Sequence, residues 1–272
     1  KCMRSFTEYR LKLKGDSKMN IIKSICVAFS MYSKIPMPQF EWKEEDMRYM
    51  LCFFPWIGAV IGICLWLWAV LCEKAGIGML AFTTIGSVIP ILITGGFHVD
   101  GFMDTMDAFH SYQPREKKLE ILKDSHIGAF AVIMLAAYGL IYLGAFSEIR
   151  DMDILKTVCA GFVLSRALSG IAVVSFPAAK KDGLLYLFAS NAQKKIVRVS
   201  LVMQVILSAV FMLYESVSAG TVTVLTAAGV FAYYYYRCKK ELGGITGDTA
   251  GYFVVLCEGC MVIAAAIANI CG

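Results

Sequence analysis

The chain has 272 residues, 58% apolar and only 17% charged, with a formal net charge of +5 from 26 Lys and Arg against 21 Asp and Glu. Soluble domains carry nearer a quarter charged residues, so the composition excludes an ordinary soluble domain and points to an all-α, polytopic membrane protein. The modest cation excess reads as membrane topology, so the expected partner is the lipid bilayer and no nucleic-acid partner is expected.

Residues 1–18 are basic and lack an apolar core, so they do not read as a cleavable signal peptide. Met19 reads as a natural start, 1–18 as an extension outside the fold, and 19–272 as one transmembrane domain. Residues 20–35 suggest an interfacial helix with Ile21, Ile22, Ile25, Phe29 and Tyr32 toward lipid. Ile35-Pro36-Met37-Pro38 ends it, because a residue before proline resists the α region. Apolar runs near the spanning length of about 20 residues then recur at 51–72, 77–96, 127–147, 154–176, 199–216, 218–236 and 252–271. They predict about seven transmembrane helices, with the break inside 199–236 marked only by Glu215 and a short polar stretch. Gly58-x-x-x-Gly62 in the first run is a helix-contact signature. Ten cysteines are scattered along the chain, mostly inside the apolar runs, and even Cys257-x-x-Cys260 reads as small buried thiols rather than a disulfide or zinc motif.

Of the 26 cations, 22 lie in residues 1–50, 97–126, 177–198 and 237–250. These segments fall on alternate sides of seven spans, so the positive-inside rule puts the N-terminus in the cytoplasm and the C-terminus outside. Arg166 and Glu258 fall inside spans, where an unpaired charge costs roughly 2.5–3.5 kcal/mol on insertion scales; each should face the interior with a partner or water.

The acidic string His98-Val99-Asp100-Gly101-Phe102-Met103-Asp104-Thr105-Met106-Asp107 is the strongest chemical signal. Carboxylates at i, i+4 and i+7 lie within roughly 60° on one helical face. Like charges so aligned repel unless a cation sits between them, which reads as a hard-metal site, Mg²⁺ before Zn²⁺. All three histidines, His98, His110 and His126, fall in 97–126, with a second acidic group at Asp124. Downstream, Gly243-Gly244-Ile245-Thr246-Gly247-Asp248-Thr249 offers a backbone able to approach a phosphate closely beside another carboxylate. Lys180, Lys181, Lys194, Lys195 and Arg198 are phosphate partners or topology determinants.

These motifs, with Phe53-Phe54-Pro55-Trp56-Ile57-Gly58, Leu122-Lys123-Asp124-Ser125-His126-Ile127-Gly128 and Ser165-Arg166, resemble the cobalamin synthase (adenosylcobinamide-GDP ribazoletransferase) family from about residue 20 to the C-terminus. Two positions depart from the family pattern: Ala108 replaces the usual Gly after the third Asp, which suggests a stiffer turn, and Val255 replaces a frequent Glu. The resemblance implies transfer of the cobinamide-phosphoryl group of adenosylcobinamide-GDP to α-ribazole or its 5′-phosphate, releasing GMP. It implies Mg²⁺ held by Asp100, Asp104 and Asp107, with Asp248 and Asp124 completing the shell. His98 or a free carboxylate would take the hydroxyl proton, Arg166 or Lys181 would bind phosphates, and Gly243, Gly244, Thr246 and Gly247 would close over them. The active site is expected on the cytoplasmic face of the cell membrane, and a homo-oligomer is compatible with the sequence. A membrane phosphotransferase of the CDP-alcohol type is the alternative, but no Ala-Arg pair follows Asp100-Gly101. A cation transporter would instead place paired acids near the midplane on discontinuous helices.

Overall fold

The computed structural model describes residues 21–271; the expected extension 1–18 and Met19 lie outside the described residues. In chain order the helices are α1 (Ile21–Tyr32), α2 (Glu44–Met47), α3 (Met50–Ala75), α4 (Met79–Thr94), α5 (Phe97–His110) and α6 (Arg115–Ile121). There follow α7 (Ala129–Ser147), α8 (Met152–Ser175), α9 (Leu184–Asn191), α10 (Lys194–Glu215), α11 (Val217–Leu242) and α12 (Gly247–Cys271). Among the described residues β structure is limited to one isolated parallel bridge, Ala178 to Ile245.

Among the described residues six helices, α3, α7, α8, α10, α11 and α12, are long and apolar enough to cross a membrane. The run at 77–96 departs from expectation. Its helix α4 has only 16 residues, and the chain then turns 94° into α5, so the count reaches seven only if this bent pair is one broken span. Gly95 and Gly96 make the corner with φ of 65° and 78°, a left-handed conformation that side chains with a Cβ resist. The acidic string is therefore a helix laid across the end of α4, outside the six spans. It continues through Ala108 to His110, so no turn forms where the sequence suggested a stiffened one.

The central element is α8, with 78% of its apolar window buried against 17% for α7 on the rim. The contact expected of Gly58 and Gly62 is present: a Cβ at either would collide with the α8 backbone, at Phe162 and Cys159 respectively. Close backbone approach of this kind replaces the hydrophobic driving force that lipid removes. Arg166 of α8 and Glu258 of α12 are each other's partners, with Nη1 to Oε1 at 2.6 Å. Ser165 donates to the same carboxylate oxygen at 2.9 Å. The break inside 199–236 falls at Ser216, whose hydroxyl accepts from the Ala219 amide and starts α11.

The interfacial reading of the first helix needs correction. Ile21 and Ile22 are exposed, but Phe29 and Tyr32 are buried in the core. Tyr32 packs on Phe54 of α3, with ring centroids 4.4 Å apart. An apolar stripe shows the side that avoids water, and here that side meets protein rather than lipid.

Candidate active site

The site forms where α5 crosses the start of α12. Both helices carry glycine at the crossing. A Cβ on Gly101 would lie 2.6 Å from the Asp248 carbonyl oxygen, and one on Gly251 would lie 3.1 Å from that of His98. The missing side chains let the backbones touch, which carries Asp248 to the face of α5 bearing Asp100 and Asp104.

Local chemistry explains why α12 begins there. Gly243, at φ 73°, terminates α11 by donating its N–H to Lys239 at 3.1 Å, while Gly244 donates to Cys238 at 3.3 Å. This is the paired-amide ending that satisfies the last carbonyls of a helix. Ile245 then exchanges backbone bonds with the 177–179 segment, at 2.9 Å to Pro177 and 2.8 Å from Ala179. Thr246 and Thr249 cap α12 reciprocally, each amide donating to the other's hydroxyl, at 2.8 and 3.2 Å. Both hydroxyls therefore serve the helix start. Gly243 and Gly244 likewise serve chain reversal and packing. Gly247, in contrast, lines open space beside Asp248.

Burial, followed by the neighbouring charges of Asp100, Asp248 and Asp107, pushes the Asp104 carboxyl up to about 7. Three neighbouring carboxylates thus act on Asp104 across the crossing. Hard oxygen donors whose joint ionisation is opposed are the donor set that suits a divalent cation such as Mg²⁺. Among the described residues, however, no three His, Cys, Asp or Glu side chains sit close enough to close a coordination shell.

Asp107 has a second engagement. Its Oδ1 accepts from the Ala131 amide at 3.3 Å, in the first turn of α7. The N-cap of α7 is Gly128, which has no side chain to offer, and a Cβ there would strike the Asp107 carboxylate. Asp107 is therefore an N-cap supplied from another helix, and Gly128 is the notch that admits it. Replacing Asp107 with Ala should destabilise the protein by about 1 kcal/mol, whereas Asn, also an acceptor, should recover most of the loss. Thermal melts of the two variants check this.

Other expected residues separate from the cluster. Asp124 is exposed and its Oδ1 meets His126 Nδ1 at 2.6 Å. His110 bonds the Met106 carbonyl at 2.8 Å. Lys181 is exposed; its neighbour Lys180 instead reaches the site, bonding the Leu119 carbonyl at 2.9 Å and lying within electrostatic range of Asp248. Arg166 is held by Glu258 rather than presented to a phosphate.

Two chambers open here. A polar one of about 260 Å³ is lined by Lys123, Lys180, Asp182, Thr246, Gly247 and Asp248. A small aromatic one of about 40 Å³ is lined by Tyr32, Phe54, Phe97, His98 and Phe188, and shares Leu184, Leu185 and Gly247 with the first. Burial, reinforced by the charge of Arg166, holds the His98 ring well below the usual imidazole range, so it is neutral.

Residues 24–266 match the cobalamin-5-phosphate synthase family. The chain belongs to that family. Members similar to it include proteins named adenosylcobinamide-GDP ribazoletransferase from Lachnoclostridium phytofermentans and Clostridium perfringens strain SM101. The first is 45% identical over 240 residues, 88% of this chain and 92% of the relative. The second is 32% identical over 246 residues, 87% and 94% respectively. One from Listeria monocytogenes serovar 1/2a is 32% identical over 240 residues, 85% of this chain and 92% of its own. No solved structure matches. This membership agrees with the resemblance drawn from the acidic and glycine-rich motifs. Two features of this family member were beyond the reach of its sequence: the choice of Lys180 over Lys181, and the aromatic walls around His98.

Proposed function

We propose that this chain transfers the cobinamide-phosphoryl group of adenosylcobinamide-GDP to α-ribazole or α-ribazole 5′-phosphate, releasing GMP in the late assembly of cobalamin. The observation that carries the reading is the glycine crossing of α5 and α12, where the Asp248 backbone meets Gly101 between Asp100 and Asp104, with Lys180 and Asp248 lining one chamber. A ribose hydroxyl oxygen attacks the phosphorus on the cobinamide side, and the bond from that phosphorus to the bridging oxygen breaks. GMP leaves with the electron pair.

Asp104 with Asp100 or Asp248, two carboxylates rather than three, would hold Mg²⁺ together with the substrate's diphosphate oxygens, and the bound ion would neutralise charge on them. Asp107 supports the cluster by fixing α7, and Lys180 with Lys123 draws the diphosphate into the polar chamber. A carboxylate oxygen of the cluster would take the hydroxyl proton. Incubating purified protein with adenosylcobinamide-GDP, α-ribazole and Mg²⁺ should release GMP only when all three are present. Release independent of the riboside would replace transfer by simple hydrolysis.

We also infer that this end of the bundle faces the cytoplasm, because most cations gather in the segments around it. Tyr112, 88% exposed between α5 and α6, is a suitable reporter. A cysteine at that position, in a background without other reactive thiols, should resist an impermeant thiol reagent in intact cells and react after permeabilisation. Efficient labelling in intact cells would reverse the orientation.

A further inference from the structure

His98 is only 4% exposed, and neither of its ring nitrogens has a hydrogen-bond partner. A buried polar group left unpaired costs free energy that most proteins avoid. Its surroundings are aromatic. Tyr32 and Phe54 lie nearly parallel to the imidazole, at 6.3 and 5.6 Å between centroids, and Phe97 stands edge-on at 5.6 Å.

The position of this chamber is as telling as its walls. It adjoins the polar chamber through Gly247, one residue before Asp248. A ligand with a flat ring on one side and a sugar hydroxyl on the other would span both. We propose that the chamber seats the planar nitrogen heterocycle of the riboside acceptor, with His98 as hydrogen-bond partner of its ring nitrogen. This rests on the transferase reading above.

Polarity decides between the acceptor's base and the guanine of the donor. Of the residues lining the chamber only Tyr32, His98 and Ser169 carry polar side chains. Guanine would bring several donors and acceptors into a wall that could not answer them, at the cost attached to each unpaired group. A base with one free ring nitrogen needs one partner. Aromatic walls suit it, since stacking tolerates any π face.

As closed, a chamber of about 40 Å³ admits water but no ring. One wall is Leu184, Leu185 and Phe188 of α9, an eight-residue helix entered through Gly183 at φ 90°. The ring therefore enters with α9 displaced, and α9 closes over it.

The test uses full-length protein in detergent, varying donor and acceptor separately while following GMP. In His98→Phe, KM for α-ribazole should rise about tenfold, the worth of one hydrogen bond to a buried group. KM for adenosylcobinamide-GDP and kcat should stay within about threefold. Equilibrium dialysis with free benzimidazole should show binding to the wild type that α-ribazole displaces and GMP does not, and that His98→Phe loses. Phe54→Leu, which removes one ring wall at similar volume, should raise the acceptor KM in the same direction and carries the test if His98→Phe does not fold. A collapse of kcat with the acceptor KM unchanged would make His98 a proton-transfer residue and overturn the proposal. Displacement of benzimidazole by GMP would overturn it as well. If the wild type releases no GMP yet binds benzimidazole through His98, the heterocycle seat stands and the transferase reading falls.

Discussion

Asp104→Asn is expected to abolish GMP release, by several orders of magnitude, while leaving the protein folded and membrane-inserted. Asp104 is half-buried on α5 and its ionisation is opposed first by burial, then by Asp100, Asp248 and Asp107. Removing its charge strips the cluster of the carboxylate most affected by its neighbours, and a bound divalent cation carries most of the charge relief in such transfers. The sign of the accompanying stability change follows from the same arrangement. The folded carboxyl titrates at about 7, above the ordinary value of about 3.9. Its contribution to stability is thus fully present below that ordinary value and lost as pH rises through 7. A neutral Asn avoids the loss, so at pH 8 without Mg²⁺ the variant should melt at or above the wild-type temperature. In the wild type, the acid limb of kcat/KM should lie near pH 7 at low Mg²⁺ and move down as Mg²⁺ rises, because cation and proton compete for one carboxylate. Near wild-type GMP release by Asp104→Asn across a Mg²⁺ titration would dismiss the acidic cluster as the cation site.

Much of this arrangement was legible in the sequence, and the remainder failed for identifiable reasons. Hydropathy marks the six spans because lipid demands about 20 apolar residues per crossing. It could not reveal the 94° corner, since 77–96 reads as one apolar run and the signal lay in Gly95-Gly96, which is equally at home flanking a site. The stripe that includes Phe29 and Tyr32 looks the same in sequence whether it meets acyl chains or α3. The i, i+4, i+7 spacing gave the common face of Asp100, Asp104 and Asp107. It could not show that Asp107 caps α7, because that role depends on Gly128 arriving beside it. Lys180 and Lys181 are adjacent and chemically identical, and only the bridge from Ala178 to Ile245 settles which one turns inward. Arg166 and Glu258 each announced a need for a partner, yet at 92 positions apart nothing local could pair them.

That pair yields the second large expected effect. Arg166 is 1% exposed, donating to Glu258 at 2.6 Å and to the Phe162 carbonyl at 2.9 Å. Deleting Glu258 alone leaves a buried cation without its counter-charge, and breaking a buried pair in this way typically costs about 3–5 kcal/mol. Glu258→Ala should therefore accumulate poorly and unfold at a much lower temperature than wild type. Replacing both residues with apolar groups of similar size, as in Arg166→Met with Glu258→Met, removes both desolvation penalties and should recover most of the stability. The double variant then separates structure from chemistry. Arg166 sits one helical element away from the acidic cluster, facing α12 some ten residues beyond Asp248. If it only ties α8 to α12, the stable double variant should retain GMP release within about tenfold. If it also binds a substrate phosphate, as the resemblance implies, the double variant should fold and yet lose turnover, with the loss appearing in the KM for adenosylcobinamide-GDP. Glu258 and the Phe162 carbonyl both hold Nη1, and the side chain is buried between α8 and α12, so retained turnover is the expected result.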